Sequence, residues 1–256
     1  MKRAIALICF PAIALAGTSY DFTVRDPSHP EMAPQGMRHF VQDGKVRVDL
    51  VESRVLIFED QAMYVIDNNA RTVRASSDAT RERMFARMAD QISQIRSKSA
   101  TLSAQQREKM DQGAASLEEF QTETHKTATP REYAVTTRSE TVDGHECRIW
   151  TETEKGAKRL ELCVVSVGTV RGGDEILAGM KTLSQYPAFG SLQALGVEFG
   201  LGEWWTGIES LGGLPVLIRE FEHDHVVLEV TITGVHQQLI SQALFDIPDG
   251  YKRLGQ

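Results

Sequence analysis

The sequence lacks the short motifs by which enzymes are most readily recognised. It contains no Gly-x-Ser-x-Gly nucleophile elbow, no phosphate-binding or dinucleotide-binding glycine loop, and no His-Glu-x-x-His helix. It also has few cysteines, three in 256 residues, and its basic residues form no cluster in a chain of formal net charge −7. We therefore expect no cofactor and no nucleic-acid partner, and we predict that the protein is not an enzyme.

Long apolar runs are also absent, except at the start of the chain. Met1-Lys2-Arg3 is positively charged, Ala4–Ala12 is an uncharged apolar core, and Ala14-Leu15-Ala16 is a small-residue cleavage site. The run is too short to span a bilayer, and no stop-transfer pattern follows it. We therefore predict an export signal cleaved after Ala16, a periplasmic protein and no stable membrane insertion afterwards. Lipidation at Cys9 is the alternative, although a bulky residue precedes that cysteine where a small one is expected.

Removal of the signal leaves 240 residues and a net charge of −9, since two basic residues are lost with it. No linker or internal repeat divides the remainder, so we predict a single domain over 17–256. Short strand-like runs predominate in it. Helical spacing predicts helical insertions at about 78–122 and 173–212.

Two dipeptides predict tight β-hairpins. Asp43-Gly44 and Asp143-Gly144 each lie between runs with strand-like alternation, and both dipeptides favour two-residue turns. Closure on the first turn places Arg38 opposite Asp49, a favourable pair of opposite charges.

The mature chain keeps two cysteines, Cys147 and Cys163. They lie in the strand-like runs 146–153 and 157–165, separated by Glu154-Lys155-Gly156. A three-residue hairpin loop favours a left-handed residue at its end, where glycine stands here. Closing the hairpin on that loop places the cysteines directly opposite each other. We therefore predict a disulfide, over the alternatives of two free thiols or a metal-binding pair.

The same hairpin register assigns the faces of these strands. It places Trp150 opposite Leu160, with Leu162 as a diagonal neighbour, on the face away from the cysteines. We expect Trp150 to face the core.

Four large side chains are candidates for contact with an apolar ligand. Met84 and Met88 lie on the apolar side of the first helical stretch, and they fit an ordinary core face as well. Trp204 and Trp205 lie in a glycine-rich apolar segment from 189 to 217. This segment is interpreted either as a lid over an apolar cavity or as a plug packed against the sheet, and both interpretations stay open.

Two groups of titratable residues have some features of a site but not enough to form one. His223 and His225 have a spacing that some metal sites use, and Glu220 and Glu222 are near them in sequence. The sequence does not identify a third ligand on the same side as the two histidines. Glu203 adjoins the tryptophan pair, but no second carboxylate can be placed near it. We therefore predict neither a metal site nor a catalytic residue.

The pattern of the whole chain supports a more specific interpretation. An exported chain with an antiparallel meander, inserted helices and the ending Phe245-Asp246-Ile247-Pro248-Asp249-Gly250-Tyr251 resembles the LolA/LolB-like half-open β-barrel superfamily. These are periplasmic lipoprotein carriers, and the resemblance is to a bacterial family of undetermined function within the superfamily. It implies an α+β fold: a curved antiparallel sheet of about eleven strands, a half-open β-barrel, with helices packed on its open, concave side.

The resemblance also implies a function. A non-enzymatic periplasmic protein would bind a hydrophobic ligand, an acyl chain or lipoprotein-like cargo, in the concavity of the half-barrel. Two alternatives stay open. One is a cell-envelope protein-interaction module whose cavity is filled by its own side chains, and the other is a hydrolase with an unrecognised site.

Overall fold

The computed structural model covers most of the chain. It describes residues 16–50, 53–60, 62–99, 103, 106–109, 111–115, 132–184 and 207–254. The predicted export signal lies outside the described residues, apart from Ala16, and so do Glu203, Trp204 and Trp205.

In the described part of the chain, twelve strands form one sheet. They are β1 (Ala16–Arg25), β2 (Gln35–Gln42), β3 (Lys45–Asp49), β4 (Arg54–Glu59), β5 (Ala62–Asp67), β6 (Thr72–Ser77), β7 (Ala134–Val142), β8 (His145–Glu154), β9 (Ala157–Val165), β10 (Leu214–Glu222), β11 (His225–Leu239) and β12 (Lys252–Leu254). Their order across the sheet is β12-β6-β5-β4-β3-β2-β1-β11-β10-β9-β8-β7. The sheet is open, and β12 pairs with β6 in parallel. A largely antiparallel sheet is thus confirmed, with twelve strands in place of eleven and one parallel pair.

The long strand β11 joins the two halves of the chain. It pairs with β1 along nearly its whole length, from Arg25 opposite Glu229 to Ala16 opposite Leu239. The pairing shifts by one residue near Gly234, which has a φ of +59°. A left-handed glycine allows such a bulge, and the strand therefore continues past it.

The two predicted hairpin turns are confirmed. Asp43-Gly44 and Asp143-Gly144 each have two consecutive positive φ angles, which is the geometry of a type I′ turn. The predicted pair of Arg38 with Asp49 is present in the register of β2 with β3.

The turn between β8 and β9 differs from the prediction. Lys155 and Gly156 have φ values of +51° and +82°, so the loop has two residues and Glu154 pairs with Ala157. The predicted three-residue loop is wrong because Lys155, like the glycine after it, adopts the left-handed conformation. A further irregularity after Glu152 shifts the register again.

These two shifts change the partners of the cysteines and of the tryptophan. Cys163 lies opposite Ile149, and Trp150 lies opposite Leu162 rather than the leucine two residues earlier. Cys147 is therefore a diagonal neighbour of Cys163, with their Cα atoms 5.3 Å apart, and the pair is at disulfide distance. The predicted cysteine pair is confirmed, but the directly opposed register is wrong.

Helical residues fall in both predicted insertions. The helix α1 (Asp78–Ser99) is followed by shorter helical stretches at 106–109 and 111–115, and α2 spans Gly173–Ser184. Among the described helices, none combines the length and the apolar character that a membrane crossing requires.

The helix α2 packs against one face of the sheet, over β1, β2, β3 and β10. Its side chains Ile176, Met180 and Leu183 are buried. Gly179 permits the close approach, because a Cβ atom there would lie 2.6 Å from a methyl group of Val41. We call this side of the sheet the α2 face and the other side the reverse face.

The reverse face is covered over β4 to β6 by the end of the chain. Ile247 and Tyr251 pack there against Val55, Ile57 and other buried residues of these strands. A hydrogen bond also holds the main chain before this segment, since the guanidinium of Arg47 donates to the carbonyl oxygen of Leu244 at 2.7 Å.

Candidate functional site

A cleft of about 550 Å³ lies where β7, β8 and β9 meet the segment before β10. Pockets of this size are typical of small-molecule sites. Its lining consists of Thr137, Arg138, Ser139, Glu146, Cys147, Arg148, Trp150, Val164, Val165, Ser166, Leu211, Gly212 and Gly213.

The cleft is bounded by the α2 face of the sheet. Trp150 lies opposite Leu162, Leu162 opposite Ile218, Ile218 opposite Val230 and Val230 opposite Val24. Residues directly opposite each other share a face, so this row continues onto the side that α2 covers. The cleft and α2 therefore occupy different parts of the same face.

One wall of the cleft is apolar. Trp150 is partly exposed and packs against the core, beside Val164 on the neighbouring strand. Leu211 approaches from a short 3-10 turn, Ile208–Leu211. The chain after this turn lies tight against β9, because a Cβ atom at Gly213 would lie 2.4 Å from the carbonyl oxygen of Val165.

The two arginines of the lining have different surroundings. Arg138 forms ion pairs with Glu161 at 3.0 Å and with Glu140 at 3.2 Å, and both carboxylates lie on the reverse face. Arg148 is exposed and lies between Ser139 and Val164 in the strand register. Within the described part of the chain, its guanidinium makes no ion pair.

The ion pairs of the reverse face form a network around Arg219. Its guanidinium lies 2.9 Å from Glu140, 3.0 Å from Glu161 and 3.0 Å from Glu229, and Lys158 lies 3.3 Å from Glu161. Together with Arg138, the network holds three acidic and three basic side chains, so its formal charge is zero.

Glu161 is buried, at 3% exposure, yet it stays ionised. Burial raises the pKa of its carboxyl, but the hydrogen bond from Arg219 and the charges of Lys158 and Arg138 outweigh burial and hold that pKa below its usual range. The pKa of Arg219 is raised: burial works against its charge, but Glu140 and the other carboxylates more than compensate.

A second group of buried polar side chains lies under α2. The rings of Tyr20 and His39 stack at 4.9 Å, and Phe22 meets His39 edge-on at 4.4 Å. Burial raises the pKa of Tyr20 and lowers the pKa of His39 to about 3, so both rings are neutral. Among the described residues, the Tyr20 hydroxyl, Nδ1 of His39 and the hydroxyl of Thr18 have no hydrogen-bond partner.

Sequence reasoning missed both the cleft and the buried rings, for different reasons. His39 alternates with Met37 and Val41 along β2, and this alternation is a usable sign that it points inward. No such sign marks the cleft, because residues more than 70 positions apart form it.

The predicted ligand-contact residues are not tested. Met84 and Met88 belong to α1, but their side chains are outside the described part, and Trp204 and Trp205 lie outside the described residues altogether.

His223 and His225 lie at the hairpin between β10 and β11, where His223 and Asp224 form a two-residue turn and Glu222 pairs with His225. His223, Asp224 and His225 are exposed. In the described ranges, no three or more His, Cys, Asp or Glu side chains are grouped in a way that could hold a metal ion.

Comparisons with known proteins identify no family. No family model matches the chain, and no curated protein matches it. An uncharacterized conserved protein from Thermus thermophilus is similar in structure, with 6% identity, a TM-score of 0.45 and coverage of 94% of this chain and 91% of that one. PNGF-II, in its C2 crystal form, has 10% identity and a TM-score of 0.38, over 93% of this chain and 30% of its own. Likeness at this level carries no functional conclusion.

Proposed function

We propose that the protein is a non-enzymatic, exported binding protein that holds a mainly apolar small molecule in the cleft beside Trp150. In this proposal the sheet curves as a half-open barrel, and the ligand lies on its concave, helix-bearing face. The observation that carries the proposal is the cleft itself, about 550 Å³ in volume, which combines an apolar wall bearing a partly exposed indole with charged and hydroxyl side chains. A tryptophan ring offers a large apolar surface and loses little conformational freedom on binding.

The rest of the α2 face supports this position for the ligand. Under α2 the space is occupied by buried side chains, including Ile176, Met180 and Leu183. An acyl chain bound there would have to displace the helix, whereas the cleft is open to it.

The titratable groups support binding rather than catalysis. His39 is sealed under α2, and Glu161 is held in ion pairs on the reverse face. Cys147, which lines the cleft, is bridged to Cys163 and is not a nucleophile. Among the lining residues, the carboxylate of Glu146 makes no hydrogen bond to the hydroxyl of Ser139 or Ser166, as activation of a serine nucleophile would require.

Fluorescence titration with dansylaminoundecanoic acid tests the proposal. We expect saturable binding of one probe molecule per chain, and Trp150→Ala should weaken it about tenfold or more, since burial of an aromatic surface is lost. Leu239→Ala is the matched control, because Leu239 is 70% exposed and remote from the cleft. Absence of saturable binding, or equal affinities of the two variants, would contradict the proposal.

A second candidate is a cell-envelope interaction module, favoured by the filled part of the α2 face. It predicts that native mass spectrometry finds only the bare chain after incubation with the probe. A complex with one probe molecule would exclude it as the sole function.

A further inference from the structure

We infer that the ligand of the cleft carries a single negatively charged group of the carboxylate type, and that the guanidinium of Arg148 binds this group directly. This inference rests on the proposed function, because it assigns the ligand class of the same cleft.

The contrast between the two arginines of the lining carries the inference. Arg138 is compensated by Glu140 and Glu161, within a network whose formal charge is zero. Arg148 lies on the opposite face, exposed, and makes no ion pair with any described residue. An arginine cannot lose its proton in this environment, so its charge is available to a ligand.

The surroundings of Arg148 favour an amphiphile with its head at this residue. Ser139 lies directly opposite on β7 and supplies a hydroxyl group, and Val164 lies opposite on β9. Trp150 is two residues further along the same strand face, a separation of about 7 Å. A planar guanidinium can donate two parallel hydrogen bonds to a carboxylate, while the adjoining chain lies on the indole.

Glu146 opposes this attraction without cancelling it. It lies two residues before Arg148 on the same strand face and also lines the cleft. Its carboxylate acts on a ligand at Arg148 from a distance of about two strand residues, whereas Arg148 makes direct contact. Its presence favours one negative charge on the ligand over two.

Two probes that share a chain and differ only in the head group test the inference. They are dansylaminoundecanoic acid and its uncharged primary amide, titrated into the full chain and followed by fluorescence. We expect the acid to bind about tenfold more tightly than the amide, because a charge-assisted bidentate pair is lost with the amide. Arg148→Gln should remove this preference and leave the affinity for the amide nearly unchanged.

Two further variants sharpen the test. Glu146→Gln should raise the affinity for the acid and not for the amide. Arg159→Gln is the matched control, because Arg159 is half-exposed on β9, pairs with Glu154 at 3.7 Å and does not line the cleft. It should keep the preference for the acid.

The outcomes separate this inference from the proposed function. Equal binding of acid and amide, both weakened by Trp150→Ala, would overturn the inference and leave the proposed function standing. A preference for the acid that survives in Arg148→Gln would also overturn it. Binding of neither probe would contradict the proposed function, and the inference with it.

Discussion

The α2 face buries the polar rings of Tyr20 and His39 over β1 and β2, whereas over β8 it leaves the charged side chain of Arg148 beside an open cleft. Tyr20 and His39 are both at most 1% exposed. Arg148 is exposed on the same side of the sheet. The two regions lie on one face of the same sheet and differ in their cover among the described residues: α2 packs over β1, β2, β3 and β10, and the cleft lies over β7, β8 and β9.

The difference shows which chemistry each region permits. A histidine enters a sealed region by giving up its proton, and the cost is a pKa lowered to about 3. An arginine cannot do this, so a buried one needs carboxylate partners, as Arg219 has on the reverse face. In the open region Arg148 needs no such partner, because its guanidinium is exposed and accessible to a ligand.

The largest expected effect is an acid-induced loss of stability that comes from the sealed region. The pKa of His39 is depressed in the folded state, so below pH 6.5 the unfolded chain binds a proton that the folded chain does not. Stability should fall by about 1.4 kcal/mol per pH unit, or about 4 kcal/mol between pH 6.5 and pH 3.5. Urea unfolding at several pH values measures it.

The variant His39→Phe isolates this effect. Its stability should change much less between pH 6.5 and 4.5, above the range in which Glu161 begins to matter. His29 has a pKa raised by its bond to Asp26 and acts with the opposite sign, but it is common to both proteins. Equal slopes for the two proteins would show that His39 is not sealed.

The next effect separates stability from binding. Met180 belongs to α2 and is fully buried between that helix and the sheet. Met180→Ala should therefore cost about 3 kcal/mol of unfolding free energy. The affinity for dansylaminoundecanoic acid should not change, because the cleft is elsewhere on the face. Thermal unfolding and probe titration on the same sample measure both. A parallel loss of affinity would place the ligand under α2 instead.

A smaller effect is expected in the ion network behind the cleft. Arg219→Met leaves Glu140, Glu161 and Glu229 facing one another and should cost about 2 kcal/mol, less than for a fully buried pair because Arg219 is partly exposed. Arg159→Gln, the control, should stay within about 0.5 kcal/mol of the wild type. Denaturant midpoints compare them. An unfolding free energy of Arg219→Met equal to that of the wild type would mean that the network does not stabilise this end of the sheet.

The smallest effect concerns the Tyr20 hydroxyl. Since this buried hydroxyl has no partner among the described residues, Tyr20→Phe should change the unfolding free energy by less than about 1 kcal/mol, in either direction. The same urea experiment measures it. A loss of several kcal/mol would reveal a hydrogen bond to the hydroxyl, and the sealed region would then resemble the satisfied network on the reverse face.

Local patterns predicted the parts of this fold that local physics decides. Asp43-Gly44 and Asp143-Gly144 favour the left-handed geometry that a type I′ turn requires, and the register of β2 with β3 followed from the first of them. Helical spacing predicted an insertion at about 173–212, and α2 lies within it with Ile176, Met180 and Leu183 buried against the sheet.

The parts that failed depend on contacts between distant residues. Because of the turn at Lys155-Gly156 and the bulge after Glu152, Trp150 lies opposite a different residue from the one predicted. No residue type in the hairpin indicates that shift. The network around Arg219 joins residues from 138 to 229, and the cleft depends on a segment that returns to β9 from 211. Strand order across the sheet decides both, and the sequence pattern does not contain it.

The most direct measurement is contact quenching of Trp150 by a brominated ligand. The chain has three tryptophans, so the double variant Trp204→Phe, Trp205→Phe leaves Trp150 alone. Bromine quenches indole fluorescence only near contact. In 6-bromododecanoic acid the bromine lies partway along the apolar chain, level with Trp150 when the carboxylate is bound at Arg148. We predict saturable quenching at one molecule per chain, weakened about tenfold by Arg148→Gln. Binding by calorimetry without quenching of Trp150, or no binding at all, would contradict a ligand site in this cleft.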